Sequence, residues 1–242
     1  MNLSASAPPT GVTAAFTTVN SGVLVLFTVN ASAVAATSQI TVTATSGALT
    51  HTAILSLTVV PPTAATVVVD LSSSYNVSGS AVDNLPFSTG GLDGGGRSFS
   101  GILLGASQGV NGTLYSIGPM GLPDAVNSQT IALPASQFTS LKMLATGANG
   151  NQLSQKFTVT YTDGTTSVFT QSMSDWFTPQ NYSGESQAVT MNYRDNSTGT
   201  TDGEVFHLYG YSLALNSAKT VKSITLPQNR NAVVFAITLL KP

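Results

Sequence analysis

From Thr66 onward the chain breaks into short runs of period-two alternation, with turn signals about every 8 to 15 residues and no convincing amphipathic helix. That spacing points to a large antiparallel sandwich. The clearest case is residues 157–169, FTVTYTDGTTSVF, which alternate from Phe157 to Tyr161, stop at Asp163-Gly164 and resume through Val168 and Phe169. An Asp-Gly pair between two such runs is a strong hairpin signal, because both central positions of the favoured two-residue turn need positive φ. The second run leads directly into Ser174-Asp175-Trp176-Phe177-Thr178-Pro179, so the only tryptophan of the chain stands beside a carboxylate at a strand end.

Charge narrows the partners. Asp, Glu, Lys and Arg make up 7% of the 242 residues, where roughly 25% is usual. Ser and Thr together are about a quarter of the chain, so hydroxyls and exposed backbone carry solubility. The net charge is -2 and the eight basic residues are scattered, which leaves no footprint for displacing phosphate counterions. Nucleic acid is therefore not expected as a partner, and neutral ligands are favoured by elimination. There is no cysteine, hence no disulfide framework, thiolate metal site or cysteine nucleophile. No segment approaches the roughly 18 continuous apolar residues of a membrane helix, so no membrane is expected either. The N-terminus lacks the basic start and apolar core of a signal peptide. A secreted protein of this sequence would carry its signal upstream.

Up to about Val60 the sequence is rich in Ala, Thr, Val and Ser, with strand-like runs at 12–16, 23–29, 39–44 and 52–59. Pro61-Pro62 ends this region, since proline cannot donate to a ladder. The stretches LSASAPPTGVTAAF and ITVTATSGALTHTAILSLTVV resemble the second half of the immunoglobulin-like repeats attached to many secreted bacterial hydrolases. The resemblance implies about two further strands before Leu3. Either the chain starts within such a domain, or it is a shortened sandwich with an exposed edge.

In the second region Tyr, Phe, Gly and Asn increase, and eleven candidate strands fit a jelly roll of two antiparallel sheets closing over one core. The segments GGLDGGGRSFSGILLG, FTVTYTDGTTSVFTQSMSDWFTPQNYSGE and LYGYSLALNSAKTVKSITLPQNRNAVVFAITL resemble an accessory module of secreted bacterial hydrolases, related in outline to galactose-binding-like and carbohydrate-binding jelly rolls. The resemblance implies an upstream catalytic domain in the same parent chain. The predicted organisation is a partial immunoglobulin-like β-sandwich over 1–60, a linker over 61–65 and a carbohydrate-binding-like jelly roll over 66–242. The fold class is all-β.

Catalytic signatures are sparse. A glycosidase needs two carboxylates across one cleft, and Asp175 and Glu185, which flank the Trp176 loop, are the pair best placed to face each other. His51 belongs to the first region and His207 alternates along a strand, with no GxSxG elbow to serve. No active site is therefore expected. Sugar binding asks for a planar ring stacked on a pyranose face, with polar groups around its rim. Asp175, Trp176, Asn181, Tyr182 and Glu185 supply these within one loop, and a core position for Trp176 is the alternative. Asp93 and Arg97, in the glycine-rich run 90–97, are added as a ligand edge or a mutual ion pair. Tyr209 and Tyr211 share one strand face and read as core.

No cofactor is predicted, although a structural calcium of the kind jelly rolls often hold stays open. Asp83-Asn84 and Asp195-Asn196 offer oxygens of that sort, but no DxDxDG-type loop is present and no ligands are assigned. The expected function is a non-catalytic accessory module of a secreted hydrolase, binding neutral polysaccharide or oligosaccharide through the aromatic loop. A spacer that packs domains without a sugar ligand is the alternative. A hydrolase or lyase using Asp175 and Glu185 comes third.

Overall fold

Residues 232–240, AVVFAITLL, are apolar at all but one position, a pattern that a strand sustains where both its faces are covered. The computed structural model describes residues 2–6, 8–19, 22–30, 33, 36–59 and 65–242. It divides into two compact units, Met1–Thr63 and Ala64–Pro242, and the apolar run lies between two hydrophobic cores of the second. Of the predicted linker 61–65, residues 61–64 lie outside the described residues.

The first unit holds β1 (Asn2–Ala5), β2 (Val12–Val19), β3 (Gly22–Val29), β4 (Ala36–Ser46) and β5 (Leu49–Val59). β2 and β3 form a hairpin, and β1, β4 and β5 form an antiparallel sheet in that order. Gly47, at positive φ, opens the two-residue loop between β4 and β5. β5 is an edge strand, and its Leu49 and Ile54 are 68% and 66% exposed.

The second unit begins with β6 (Thr66–Val68), β7 (Ser80–Ala81), β8 (Arg97–Ser100), β9 (Ser107–Val110) and β10 (Thr113–Ser116). Next come β11 (Thr130–Ala132), β12 (Ser140–Gly147), β13 (Gln152–Tyr161), β14 (Thr166–Met173) and β15 (Glu185–Met191). It ends with β16 (Arg194–Asn196), β17 (Thr201–Asp202), β18 (Phe206–Ala214), β19 (Val221–Thr225) and β20 (Ala232–Leu240). A five-stranded sheet in the order β15-β18-β12-β20-β6 is central. One of its faces packs on the four-stranded sheet β11-β19-β13-β14. There Leu141, Met143, Tyr209, Tyr211 and Leu239 meet Phe157, Val159, Tyr161 and Ile224. Each buried side chain of this size stabilises by about 1.5–3 kcal/mol relative to exposure.

The all-β sandwich expected from the sequence is therefore present, with a second core added to it. On the outer face of the central sheet, Leu144, Leu208, Phe206 and Phe235 pack beneath Phe99, Leu104, Tyr115 and Trp176. Two smaller sheets, β17-β16-β8-β7 and the β9–β10 hairpin, contribute Phe99 and Tyr115 to this layer. A bulge makes β20 serve both cores. Its register against β12 shifts between Leu144 and Ala145, so Phe235 and Ala236 both join the outer core while Val234 and Ile237 face the inner one.

Two local readings change. Residues 99–104, one of the eleven candidate strands, read as a single strand from the sequence, but β8 stops at Ser100 and Gly101–Leu104 make a helical turn. The Ser100 hydroxyl caps it by accepting the Leu103 amide at 3.0 Å. A Cβ at Gly101 would lie 2.4 Å from that of Met120, so no larger residue fits there. The Asp163-Gly164 hairpin is present, but only Gly164 has positive φ. Gly164 donates to the Tyr161 carbonyl at 3.0 Å, and Asp163 accepts from the amide and hydroxyl of Thr165 at 2.9 and 2.6 Å. This longer turn takes glycine at its left-handed position and aspartate as a side-chain acceptor.

Candidate functional site

After β14 the chain leaves the inner sheet and crosses to the outer face of the central one. Gly147, at the end of β12, guides the crossing: its amide donates to the Ser174 carbonyl at 2.8 Å, and its carbonyl accepts the Trp176 amide at 2.9 Å. A Cβ on Gly147 would come within 2.9 Å of that Ser174 oxygen, so glycine allows the close approach. The Tyr209 hydroxyl, projecting from the inner core, donates to the Asp175 carbonyl at 2.8 Å. The loop start is thus fixed from both sides.

This geometry overturns the reading of Trp176 as an exposed stacking platform. The ring is 3% exposed. Phe99 meets it edge-on at 5.2 Å, Phe206 lies 5.2 Å away, and the Arg194 guanidinium sits 5.0 Å from its centroid. An apolar ring that can reach deep packing lowers the free energy more by burial than by waiting in water for a ligand. Phe177, the next residue, is 46% exposed and lies 5.5 Å from Phe206. It is the most exposed aromatic of the loop.

Asp175 and Glu185 do not form a catalytic pair across one cleft. Asp175 is buried, its Oδ1 accepting the Phe177 amide at 2.9 Å and its Oδ2 the Gly150 amide at 2.7 Å. Glu185 accepts from the Ser174 amide at 2.8 Å, the Ser174 hydroxyl at 2.5 Å and the Tyr211 hydroxyl at 2.6 Å. The two carboxylates hold the two ends of the 174–185 loop and open onto different hollows.

Four of the seven predicted ligand residues do converge. Asp93, Arg97, Asp175 and Trp176 line a depression of about 250 Å³, together with Asn149, Phe177, Arg194, Glu204 and Phe206. Trp176 and Phe206 are its buried floor, and Phe177, Arg97 and Glu204 stand at its exposed rim. Glu185 lies instead beside Lys142 and Tyr211 in a hollow of about 150 Å³. Neither Asn181 nor Tyr182 lines either hollow: Asn181 takes a positive φ, and the Tyr182 carbonyl accepts the Glu185 amide in a turn.

The glycine-rich run 90–97 builds the other wall. Gly91, at φ 66°, leaves no room for a Cβ, which would sit 2.4 Å from the Arg97 carbonyl oxygen. Asp93 caps the loop by accepting the Gly95 and Arg97 amides at 2.7 and 3.1 Å. Its contact with the Arg97 side chain is longer, 3.4 Å, and that guanidinium is half exposed. Arg230 and Asn149 clamp the loop from outside, donating to the Asp93 carbonyl at 2.8 and 2.7 Å. Arg230, within an apparently plain polar turn, therefore has a positioning role that nothing in its neighbours signals.

Charge at the depression is balanced rather than one-signed. Arg194 donates to Asp202 at 2.8 Å, and Arg97 approaches the same carboxylate at 4.0 Å. The Asn196 amide, followed by the Arg194 guanidinium, holds the Asp202 carboxyl below its ordinary range. His207 is buried beside Thr190 at 3.3 Å, and burial pushes its imidazole below the usual value. Among the described residues no three His, Cys, Asp or Glu side chains converge as a metal-holding group.

Comparison with known proteins adds a family. A family model described as an AziU2-like beta-sandwich domain matches residues 64–242, the whole of the second unit. No curated protein matches the chain.

Proposed function

The chain belongs to the AziU2-like beta-sandwich family, and on that footing we propose that its second unit is a non-catalytic module that binds neutral saccharide in the Phe177 depression. The observation that carries the reading is Phe177 itself, an aromatic 46% exposed at the rim of a depression that also presents Arg97, Asn149 and Glu204. An exposed ring with polar groups around it suits the apolar face and hydroxyl rim of a pyranose. Balanced charge favours a neutral ligand over an acidic one. The resemblance of the motifs to modules of secreted bacterial hydrolases supports an accessory role beside a catalytic domain in a larger exported chain.

Retention of the full chain on insoluble glucans, galactans and chitin tests this, with Phe177→Ala alongside. Loss of one stacked ring, worth about 1 kcal/mol, should weaken binding roughly fivefold. Equal retention of both proteins would remove Phe177 from the site, and no retention on any polymer or soluble oligosaccharide would remove the function. One observation favours a second reading. Trp176 is committed to the outer core, as a domain-packing spacer without a sugar ligand would have it.

A further inference from the structure

Asp195 is the middle residue of β16 and stands opposite Ser98 of β8. Its carboxyl group points inward, 1% exposed, and neither of its oxygens has a partner at hydrogen-bonding geometry. Close enough for its charge to act on Asp195 lies a second buried carboxyl group, Asp83, bonded to the hydroxyl of Tyr193, two residues before Asp195 in the chain. Asp83 is well supplied: Oδ2 accepts the Ser100 and Tyr193 hydroxyls, each at 2.7 Å, and Oδ1 accepts the Ile102 amide at 3.2 Å. Two ionised carboxylates share so dry a place only at a cost in stability, so up to neutral pH one of them carries a proton. The donors decide which. Asp83 accepts from three donors, whereas Asp195 has only the Asn84 backbone amide near it and no bond at hydrogen-bonding geometry, so Asp195 takes the proton.

We propose that Asp195 is kept as a neutral acid whose O–H donates to the Asp83 carboxylate, a one-proton latch that ties β16 to the 83–102 segment and loosens as pH rises. A divalent cation in the same place fits less well. Calcium takes about 6–8 oxygen ligands, whereas Asp83 is already engaged by three donors and no third acidic or histidine side chain converges there among the described residues.

The surrounding groups leave the pair uncompensated. Tyr193, pushed up to about 12 chiefly by burial, stays neutral throughout the physiological range. Arg194, the next residue of β16, turns to Asp202 and the Trp176 and Phe206 rings. Arg97 of β8 faces Asp93 and Asp202, the latter on β17. Asn84 offers only its backbone amide. Burial first, then the Asp83 charge, push the Asp195 carboxyl up to about 7. A folded value above the ordinary 3.8 means that the native state binds more protons than the unfolded chain between about pH 4 and 7. Stability therefore falls as pH rises through that window and levels off above it, the reverse of a salt-bridged aspartate. Asp124, also buried and raised to about 7, contributes in the same direction, so the test must isolate Asp195.

Asp195→Asn does so, because its amide still donates to Asp83 but cannot ionise. Melting temperatures of the full chain and the variant, measured from pH 4 to 8, should be close at pH 4–5 and diverge as pH rises, with the variant the more stable at pH 8. Carbon-13 NMR of the unmodified protein should show the Asp195 carboxyl titrating near 7 rather than near 4. A constant offset between the two melting curves, or an ordinary carboxyl titration, overturns the latch. So does a rise in melting temperature when millimolar calcium is added to metal-stripped parent but not to Asp195→Asn, which would assign the pair to a cation. If the variant does not fold, the NMR titration of the parent decides alone.

Discussion

Trp176 and Phe177 are neighbours in the chain, yet one is floor and the other rim. The chain bends at Asp175–Thr178, where the Asp175 carbonyl accepts the Thr178 amide at 3.2 Å and its carboxylate the Phe177 amide at 2.9 Å. The sequence marked the loop as aromatic but did not show which ring faces water. That depended on Phe99, Phe206 and Arg194, brought to Trp176 from distant strands. The two rings should respond differently to truncation. Trp176→Ala opens a cavity in the outer core and should cost about 3–5 kcal/mol of stability, read as a large drop in melting temperature by calorimetry. Phe177→Ala, at an exposed position, should shift stability by less than about 1 kcal/mol. A Trp176→Ala protein as stable as its parent would contradict the packing described. Glu185 teaches the same lesson about polar groups: it reads as a ligand-binding carboxylate until Ser174 and Tyr211 are seen to occupy it.

Elements differ in how openly they were written. β13 and β14 were plain, since alternation and an Asp-Gly turn are local signals. β20 was plain as a strand, but that its two faces serve two different cores is shown only by its packing. The helical turn at 101–104 was hidden, because it depends on a serine cap and on Met120 and Ala81 closing over Gly101. The 90–97 loop was visible as a glycine cluster, but only its contacts show which glycine is indispensable. Gly91→Ala combines a left-handed φ with a Cβ 2.4 Å from the Arg97 carbonyl oxygen. It should cost about 1–3 kcal/mol and, by displacing Asp93 and Arg97, weaken saccharide retention as well. Gly164→Ala makes a useful control, because no atom lies within 4 Å of its Cβ and only the strained φ is paid for. A Gly91→Ala loss no larger than the control's would show that the loop can shift to make room.

At the scale of the whole molecule, two regions were legible from composition and from Pro61-Pro62, and the chain separates into units at 63/64. The second core was not legible. Its outer cover comes from short strands and loops between Val77 and Phe99, around Tyr115 and at Trp176, none of which carries a long periodic run. The second unit holds both cores, and the family match spans it end to end. A fragment of residues 64–242 should therefore fold alone, with dispersed amide resonances and a cooperative thermal transition. An unfolded fragment would show that the unit depends on residues before it. The placement of the aromatic residues has a further, optical consequence. The only indole of the chain belongs to the outer core, while Tyr161, Tyr209 and Tyr211 belong to the inner one. Light absorbed by the indole thus reports on one face of the central sheet alone, and a protein with no engineered label can signal which of its two layers comes apart first.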